Sequence, residues 1–398
     1  MVQGALSLPA NLTAQAKGLW NKAIQAKTTE EKAKALQEFL SAVPKHKGNE
    51  RLRAQVKRKI AVLRLEAVEQ KQRRAGRGGV DWFIQKEGAA QVALTGQTGV
   101  GRSSLLSALT NASPAIAGHR FTTTRPVPGI MNFEDLQIQL VEAPALVEGA
   151  ADGAAWGLQT LGLARNADGI IIVLDLSESP QSQLQMVLGE LEGARISPRK
   201  PRSHIQVTRP KGSSGIHVMV SGHLVDCNIE DLHKLLKEYG VSNATIRIGG
   251  EARLNDVEDA LLESTAAYKP TLIIANKLDM PGARENLEEL RRATADLPLI
   301  PVSCITGENL HQIGCAIFES LGIIRVYTKE PNNDTRSAEP FVIRAGSTIA
   351  ELAKRIHTEL HDNFRFARVW GSTAKYPGER VGLGHVLGDR DVVEIHAR

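Results

Sequence analysis

The sequence predicts an α/β protein whose central part is a doubly wound, mostly parallel sheet. Three observations carry that reading. Apolar runs of strand length recur at residues 92–95, 136–141, 169–174, 271–275 and 299–302. Helical stretches lie between them, and strand and helix in alternation build a parallel sheet covered on both faces. Glycine-rich or polar turns follow several of the runs, at the strand ends where such sheets hold their ligands.

Residues 10–75 read as helical. Leu36, Phe39 and Leu40, then Val56, Ile60 and Leu63, recur at three-to-four spacing, and the pattern breaks only at residues 44–48. A helical hairpin is therefore expected at the N-terminus. Thr29, followed by Glu30 and Glu31, marks a helix start with acidic residues in the first turn. Gly76, Gly78 and Gly79 form a joint. Basic residues crowd positions 43–77, among them Lys45, Arg53, Lys57, Arg58, Arg64 and Lys71. A solvated helix face and a nucleic-acid contact are both open readings of that run.

The stretch at about 176–260 interrupts the strand–helix series, because the spacing elsewhere is much shorter. It holds a basic loop at 199–209, a Gly-Ser turn at 211–215 and a helix at 229–239, and reads as an inserted α/β subdomain. The tail differs again. Strands are expected at 324–328, 341–344, 367–370 and 392–396, with a helix at 347–360 capped by Ser347. Two strands, a helix and two more strands suggest a β-grasp module. The expected division is a helical region at 1–80, the sheet domain with its insertion at 81–325, and the β-grasp module at 326–398.

Composition excludes some classes. With 42% hydrophobic and 23% charged residues, the 398-residue chain reads as soluble and globular. No apolar run approaches the roughly 20 residues that span a bilayer, so no membrane role is expected, and no secretory signal is read at the start. Cys227, Cys304 and Cys315 are scattered and odd in number, which suits a reducing cytoplasm. A net charge of +5 is consistent with an anionic partner.

Two motifs carry the chemistry. GQTGVGRS occupies Gly96, Gln97, Thr98, Gly99, Val100, Gly101, Arg102 and Ser103, directly after a strand and before a helix that continues through Ser104. Glycines there let backbone N–H groups wrap a β-phosphate, and the helix N-terminus adds its positive end. Ser103 is placed to hold Mg²⁺. Arg102 stands where this P-loop pattern expects lysine; it keeps the charge and reaches phosphate oxygens, but its planar fork is bulkier. The second motif, NKLD, spans Asn276, Lys277 and Asp279 after the 271–275 strand. A carboxylate there accepts both the N1–H and the 2-amino protons of guanine, a donor pair that adenine lacks. Asn276 braces the loop, and the stem of Lys277 covers the base. A later strand ends in Ser303-Cys304, whose backbone is expected at the guanine O6. Together the three segments imply that GTP and GDP are bound with Mg²⁺.

Between the motifs, Thr122, Thr123 and Thr124 fall in the stretch expected to form a first switch, and Thr123 is the candidate Mg²⁺ ligand and γ-phosphate reporter. The 136–141 strand then runs into EAPAL, where an Asp-x-x-Gly pattern is expected. Glu142 stands for the aspartate and Ala145 for the glycine whose N–H meets the γ-phosphate. Leu146 occupies the place of a water-orienting glutamine, and leucine cannot orient water.

In these segments the chain resembles the developmentally regulated GTP-binding proteins, Obg-type GTPases of the translation-factor class. The resemblance covers nearly the whole sequence. It rests on FTTTRPVPGIMNFEDLQIQLVEAPALVEGA, on VSNATIRIGGEARLNDVEDAL with YKPTLIIANKLD, and on IRVYTKEPN, FVIRAGSTI and FRFARVWGSTAKYPGERVGLGHVLGDRDVVEIH, which resemble that family's C-terminal TGS domain. The N-terminal PKHKGNERLRAQVKRKIAVLR is similar to its helical start. The resemblance implies a P-loop G domain, GTP binding, slow hydrolysis, and association with ribosomes or RNA, with a protein partner possible and no DNA expected. Arg102, Glu142 and Ala145 depart from the pattern, as does Gly99, where related GTPases often carry an asparagine that helps bind K⁺. All four bear on hydrolysis, with Arg102, Thr123 and Glu142 its candidate residues; none touches guanine recognition.

Overall fold

The computed structural model describes residues 12–45, 49–74, 82, 84–112, 125–208, 215–239, 241–262, 264–294, 296–331 and 335–397. Among the described residues the N-terminal region holds three helices rather than the two of a hairpin: α1 (Ala14–Gln25), α2 (Thr29–Ala42) and α3 (Glu50–Arg74). Thr28 divides the first two. Its hydroxyl accepts from the Glu31 N–H at 3.2 Å while Glu31 accepts from the Thr28 N–H at 3.3 Å, a reciprocal cap that starts the second helix after the first has ended at Gln25. Trp20, Leu36, Phe39, Ile60 and Leu63 form the shared core.

Part of the basic run is engaged within the chain. Arg53 donates to the carbonyls of Leu40 and Val43, Arg58 pairs with Asp259 at 3.0 Å, and Arg64 bonds Gln37 at 3.0 Å. Lys71 meets Glu30 at 2.9 Å. These contacts give the four side chains partners within the chain, the exposed Lys71–Glu30 pair included, in keeping with a solvated helix face.

The central domain begins with β1 (Ala90–Thr95), α4 (Arg102–Leu109), β2 (Val127–Phe133), β3 (Leu136–Glu142), α5 (Gly157–Asn166), β4 (Gly169–Asp175) and α6 (Pro180–Gly193). There follow β5 (Ile196–Ser197), β6 (Ser203–Thr208), β7 (Ile216–Val220), β8 (His223–Leu224), α7 (Ile229–Glu238), β9 (Ala244–Ala252), α8 (Leu254–Leu261) and β10 (Ala267–Tyr268). It closes with β11 (Thr271–Asn276), α9 (Ala283–Ala293), β12 (Leu299–Pro301) and α10 (Ile313–Leu321).

Six strands form the main sheet in the order β12-β11-β4-β1-β3-β2, all parallel except the β2–β3 pair. Strand β4 shows why the apolar runs lack alternation: both faces are covered. Ile170, Ile172 and Leu174 pack toward α5, α6 and α9, while Ile171 and Val173 pack toward α4 and α10. Helix α6 therefore belongs to the main sheet, to which it contributes Leu184, Val187 and Leu191. The chain then leaves and returns through the short parallel pair β5–β10. Beyond that neck, β6, β9, β7 and β8 build a separate sheet, with α7 and α8 over its own core.

The tail comprises β13 (Ile323–Thr328), β14 (Phe341–Arg344), α11 (Ile349–Ile356), α12 (Thr358–Asp362), β15 (Phe364–Trp370), β16 (Glu379–Val381) and β17 (Asp391–Ala397). Its described residues form five strands, not four, in the order β14-β13-β17-β15-β16, with β13 and β17 parallel. The three-residue β16 gives no periodic signal in the sequence. The expected single helix is broken at His357, and its cap is Thr348 rather than Ser347: the Thr348 N–H donates to Glu351 at 3.1 Å.

One ion cluster ties the tail to the central domain. Arg325, only 5% exposed, donates to Asp389 at 2.6 and 3.1 Å, to Asp135 at 3.0 Å and to Glu134. Tyr327 donates to Asp135, and Arg390 to Glu134 at 2.7 Å. Glu134 and Asp135 form the turn between β2 and β3, with Glu134 in the left-handed region at φ 51°.

Candidate nucleotide site

Sheet register sets the site. Leu94 pairs with Glu142 and Asn276 with Asp175, so β1, β3, β4 and β11 end along one edge and their loops converge there. The loop after β1 is tightly backed. At Gly96, φ is 151° and a side chain would come within 2.5 Å of the Val173 carbonyl; at Gly101, φ is 91° and a Cβ would lie 2.2 Å from Asn276 Nδ2. Both positions require glycine. Gln97 and Thr98 are half-buried, Gly99 is exposed and Val100 is buried. Arg102, Ser103 and Ser104 open α4, whose free N–H groups and dipole favour an anion.

Ser103 Oγ donates to Glu142 Oε1 at 2.7 Å. A hydroxyl and a carboxylate are the hard oxygen donors that suit Mg²⁺, so the residues present fit the ion. Arg102 behaves differently from the expected phosphate clamp. Its side chain is buried, and Nη1 donates to the carbonyl of Ala143. Burial lowers its proton affinity below arginine's ordinary range, and Glu142 opposes that shift. Ala145 is half-buried. Leu146 is 1% exposed and packs into the core with Ala143 and Leu161. Thr123 lies outside the described residues, so the structure says nothing of its role.

The base-side loops are knitted together. Asn276 Nδ2 donates to the Val100 carbonyl at 3.0 Å, and Asn276 Oδ1 accepts from the Cys304 N–H at 3.3 Å. Ser303 Oγ donates to Asp279 Oδ1 at 2.6 Å and accepts from the N–H groups of Ile305 and Thr306. Asp279 is thereby aimed while its side chain remains exposed. Burial pushes the Cys304 thiol up to about 11 despite the hydrogen bond with Asn276, so it stays neutral.

Lys277, in the left-handed region at φ 66°, pairs with Asp175. Sequence reasoning missed Asp175. It ends β4, and its Oδ1 also accepts from Ser177 N at 2.8 Å. An acid closing the apolar run GIIIVLD beside two ligand-bearing strands is the signal that could have found it. Glu190 was missed as well. It accepts from the N–H groups of Gly149 and Ala151, both at 2.7 Å, and nothing in the sequence pairs positions so far apart. In the tail, Trp370 lies under Lys329 at 3.8 Å, Arg380 lies over Phe366 at 4.0 Å, and His385 contacts Thr373 at 3.1 Å. Tyr376 is exposed.

The fold and these loops define a P-loop protein of the guanine-nucleotide-binding class, and comparison with known proteins agrees. Residues 91–203 match the family described as 50S ribosome-binding GTPase, residues 213–323 the C-terminal region of that domain type, and residues 324–397 the TGS domain. Ribosome-interacting GTPase 1 of Saccharomyces cerevisiae is 31% identical over 92% of this chain and 99% of its own length. Developmentally-regulated GTP-binding protein 2 of Homo sapiens is 30% identical over 92% and 98%. Among solved structures, the Schizosaccharomyces pombe YchF GTPase superposes with a TM-score of 0.45 at 14% identity, over 78% of this chain and 99% of that one. The chain belongs to the developmentally regulated GTP-binding protein family, whose relatives include ribosome-interacting GTPases.

Proposed function

We propose that this chain binds GTP and GDP with Mg²⁺ at the converging loop edge, hydrolyses GTP slowly, and works at the ribosome. The observation that carries the reading is the knit of the base side: Ser303 holds Asp279, and Asn276 joins the loop after β1 to the Ser303-Cys304 segment. A carboxylate held in that way is ready for the paired donors of guanine. Gly96, Gly99 and Gly101 with the α4 N-terminus would take the phosphates, and Ser103 with Glu142 would take Mg²⁺, with Thr123 as the further ligand. Bound Mg²⁺ supplies charge stabilisation at the phosphates. Slow turnover follows from Leu146, which lies in the core instead of facing a water.

Ribosome association rests on the likeness to the yeast ribosome-interacting GTPase. RNA is the expected contact, and a cytoplasmic setting accords with it. Among the described residues no helix is long and apolar enough to cross a membrane. The engagement of Arg102 with Ala143 favours a second reading, a guanine-nucleotide-binding scaffold that turns nothing over.

The test is fluorescent GTP and GDP binding with an ATP control, on the wild type and Asp279→Ala, with phosphate release followed with and without ribosomes. The variant loses two hydrogen bonds to a charged acceptor, so guanine affinity should fall about 10²- to 10⁴-fold. Release that ribosomes accelerate supports the slow GTPase, and binding without release supports the scaffold. Equal affinity for ATP and GTP would sink both.

A further inference from the structure

In a P-loop protein of this class the basic side chain beside the phosphates and the segment that follows the strand corresponding to β3 are the parts that distinguish a triphosphate from a diphosphate. Here both are tied to the protein itself. Arg102, 7% exposed, donates to the Ala143 carbonyl. The Ala143 N–H donates in turn to the Leu94 carbonyl at 3.1 Å, so the peptides on both sides of Ala143 are held. Ser103 holds the preceding Glu142 at 2.7 Å, and the Leu146 N–H donates to the Gly96 carbonyl at 3.0 Å. The Leu146 side chain is sunk in the core. Further along, Glu190 from α6 takes the N–H groups of Gly149 and Ala151, both at 2.7 Å. Residues 142–151 are thus fastened at the start to the loop after β1 and at the end to α6.

A ligand moves a segment only as far as it binds the two arrangements differently. To bring the Ala145 N–H to a γ-phosphate, this segment would have to give up contacts with β1, α4 and α6 together. Arginine suits the holding role better than lysine, because its rigid fork directs donors at a fixed carbonyl. Departure of Ala145 from glycine restricts the backbone of the same stretch further.

We propose that Arg102 is a positioning residue that latches residues 142–146 to the phosphate loop, so that the site takes GDP and GTP with nearly equal affinity. The inference rests on the reading of this edge as a guanine-nucleotide site and specifies its regulation: occupancy by a guanine nucleotide, not the presence of a γ-phosphate, is what the protein registers.

The experiment measures the dissociation constants of GDP and a non-hydrolysable GTP analogue for the full chain and for Arg102→Lys, with an adenine nucleotide as control. Amide hydrogen exchange of residues 144–151 is followed in the wild type with each ligand. The two wild-type affinities should agree within about threefold, and exchange at 144–151 should be the same with either nucleotide. Arg102→Lys supplies a compact charge that can leave Ala143, and should shift the preference toward the triphosphate by about tenfold. The latch is overturned if the two wild-type affinities differ by more than about threefold in either direction, if the analogue alone slows exchange at 144–151, or if Arg102→Lys leaves the ratio unchanged. Should Arg102→Lys fold poorly, the two wild-type measurements decide. Guanine-specific binding with a strong γ-phosphate preference removes the latch alone. Loss of guanine over adenine preference removes the reading of the site and the latch with it.

Discussion

Arg325→Met removes a guanidinium from the contact between the TGS domain and the β2–β3 turn while keeping much of the apolar stem. The wild-type side chain is 5% exposed, lies 4.9 Å from the Phe318 ring centroid, and bonds across the domain boundary to Asp135 at 3.0 Å and to Glu134. Glu134 is exposed, and water screens its pairing with Arg325. A buried charge-assisted bond contributes about 1.5–3 kcal/mol, and partial hydration of Asp135 reduces this one to about 1–2 kcal/mol. Opening at the boundary should then become roughly tenfold more frequent. Native-state hydrogen exchange reads this directly. Amides at 133–136 and 325–328 should exchange about tenfold faster, while those of β4 and β11 keep their wild-type rates. Unchanged protection at the turn would falsify the idea that Arg325 fastens the two domains, and uniform loss of protection would show that the substitution unfolds the chain instead.

The same cluster makes docking depend on pH. The Glu134 carboxyl is held below its ordinary range by hydrogen bonds from Arg325 and Arg390; at Asp135 and Asp389 burial opposes, and hydrogen bonds involving Tyr327 and Arg325 prevail. Depressed folded-state values mean the contribution is complete above the unfolded carboxylate range near about 4 and is lost as pH falls through the folded values. Protection of the β2–β3 turn should be flat from neutral pH to about 5 and decline below that. Gly101→Ala places a methyl 2.2 Å from Asn276 Nδ2 at φ 91°, whereas Gly99→Ala, at φ 82°, meets nothing within 4 Å. Backbone strain of about 1–2 kcal/mol applies to both, and the lost Asn276–Val100 bond adds about 1 kcal/mol at Gly101 alone. Thermal unfolding and guanine affinity should both rank Gly101→Ala as the more damaging. Leu146→Gln buries an amide in the core, so it should destabilise the domain by about 2–4 kcal/mol and leave phosphate release no faster. Faster release from a folded Leu146→Gln protein would overturn the placement of that side chain.

Much of this molecule was legible before folding. The runs at 92–95, 169–174 and 271–275 are apolar on both faces, so their length and composition alone marked buried parallel strands. Gly96 and Gly101 were legible for a local reason: the loop's conformation is available to glycine at both positions. Asp279 and Ser303 were placed by their positions at strand ends, because parallel strands in register bring those ends to one edge. The short β16 escaped because three residues carry no period. The break at 44–48 and the helix start at Thr29 were read correctly, but the two-helix reading did not take Thr29 as dividing the first helix from the second.

The partners of individual side chains were decided only by the tertiary structure. Sequence pattern reports how often apolar groups recur along the chain, and it is silent on which polar groups meet across it. That Arg102 would reach Ala143, that Lys277 would pair with Asp175, and that Glu190 would fasten Gly149 and Ala151 depend on packing between elements 39 to 102 residues apart. The junction of Arg325 with Glu134 and Asp135 spans 190 residues or more. Buried donors and acceptors must find partners wherever the core brings them, and that requirement, which no local spacing encodes, set the charge contacts of this protein.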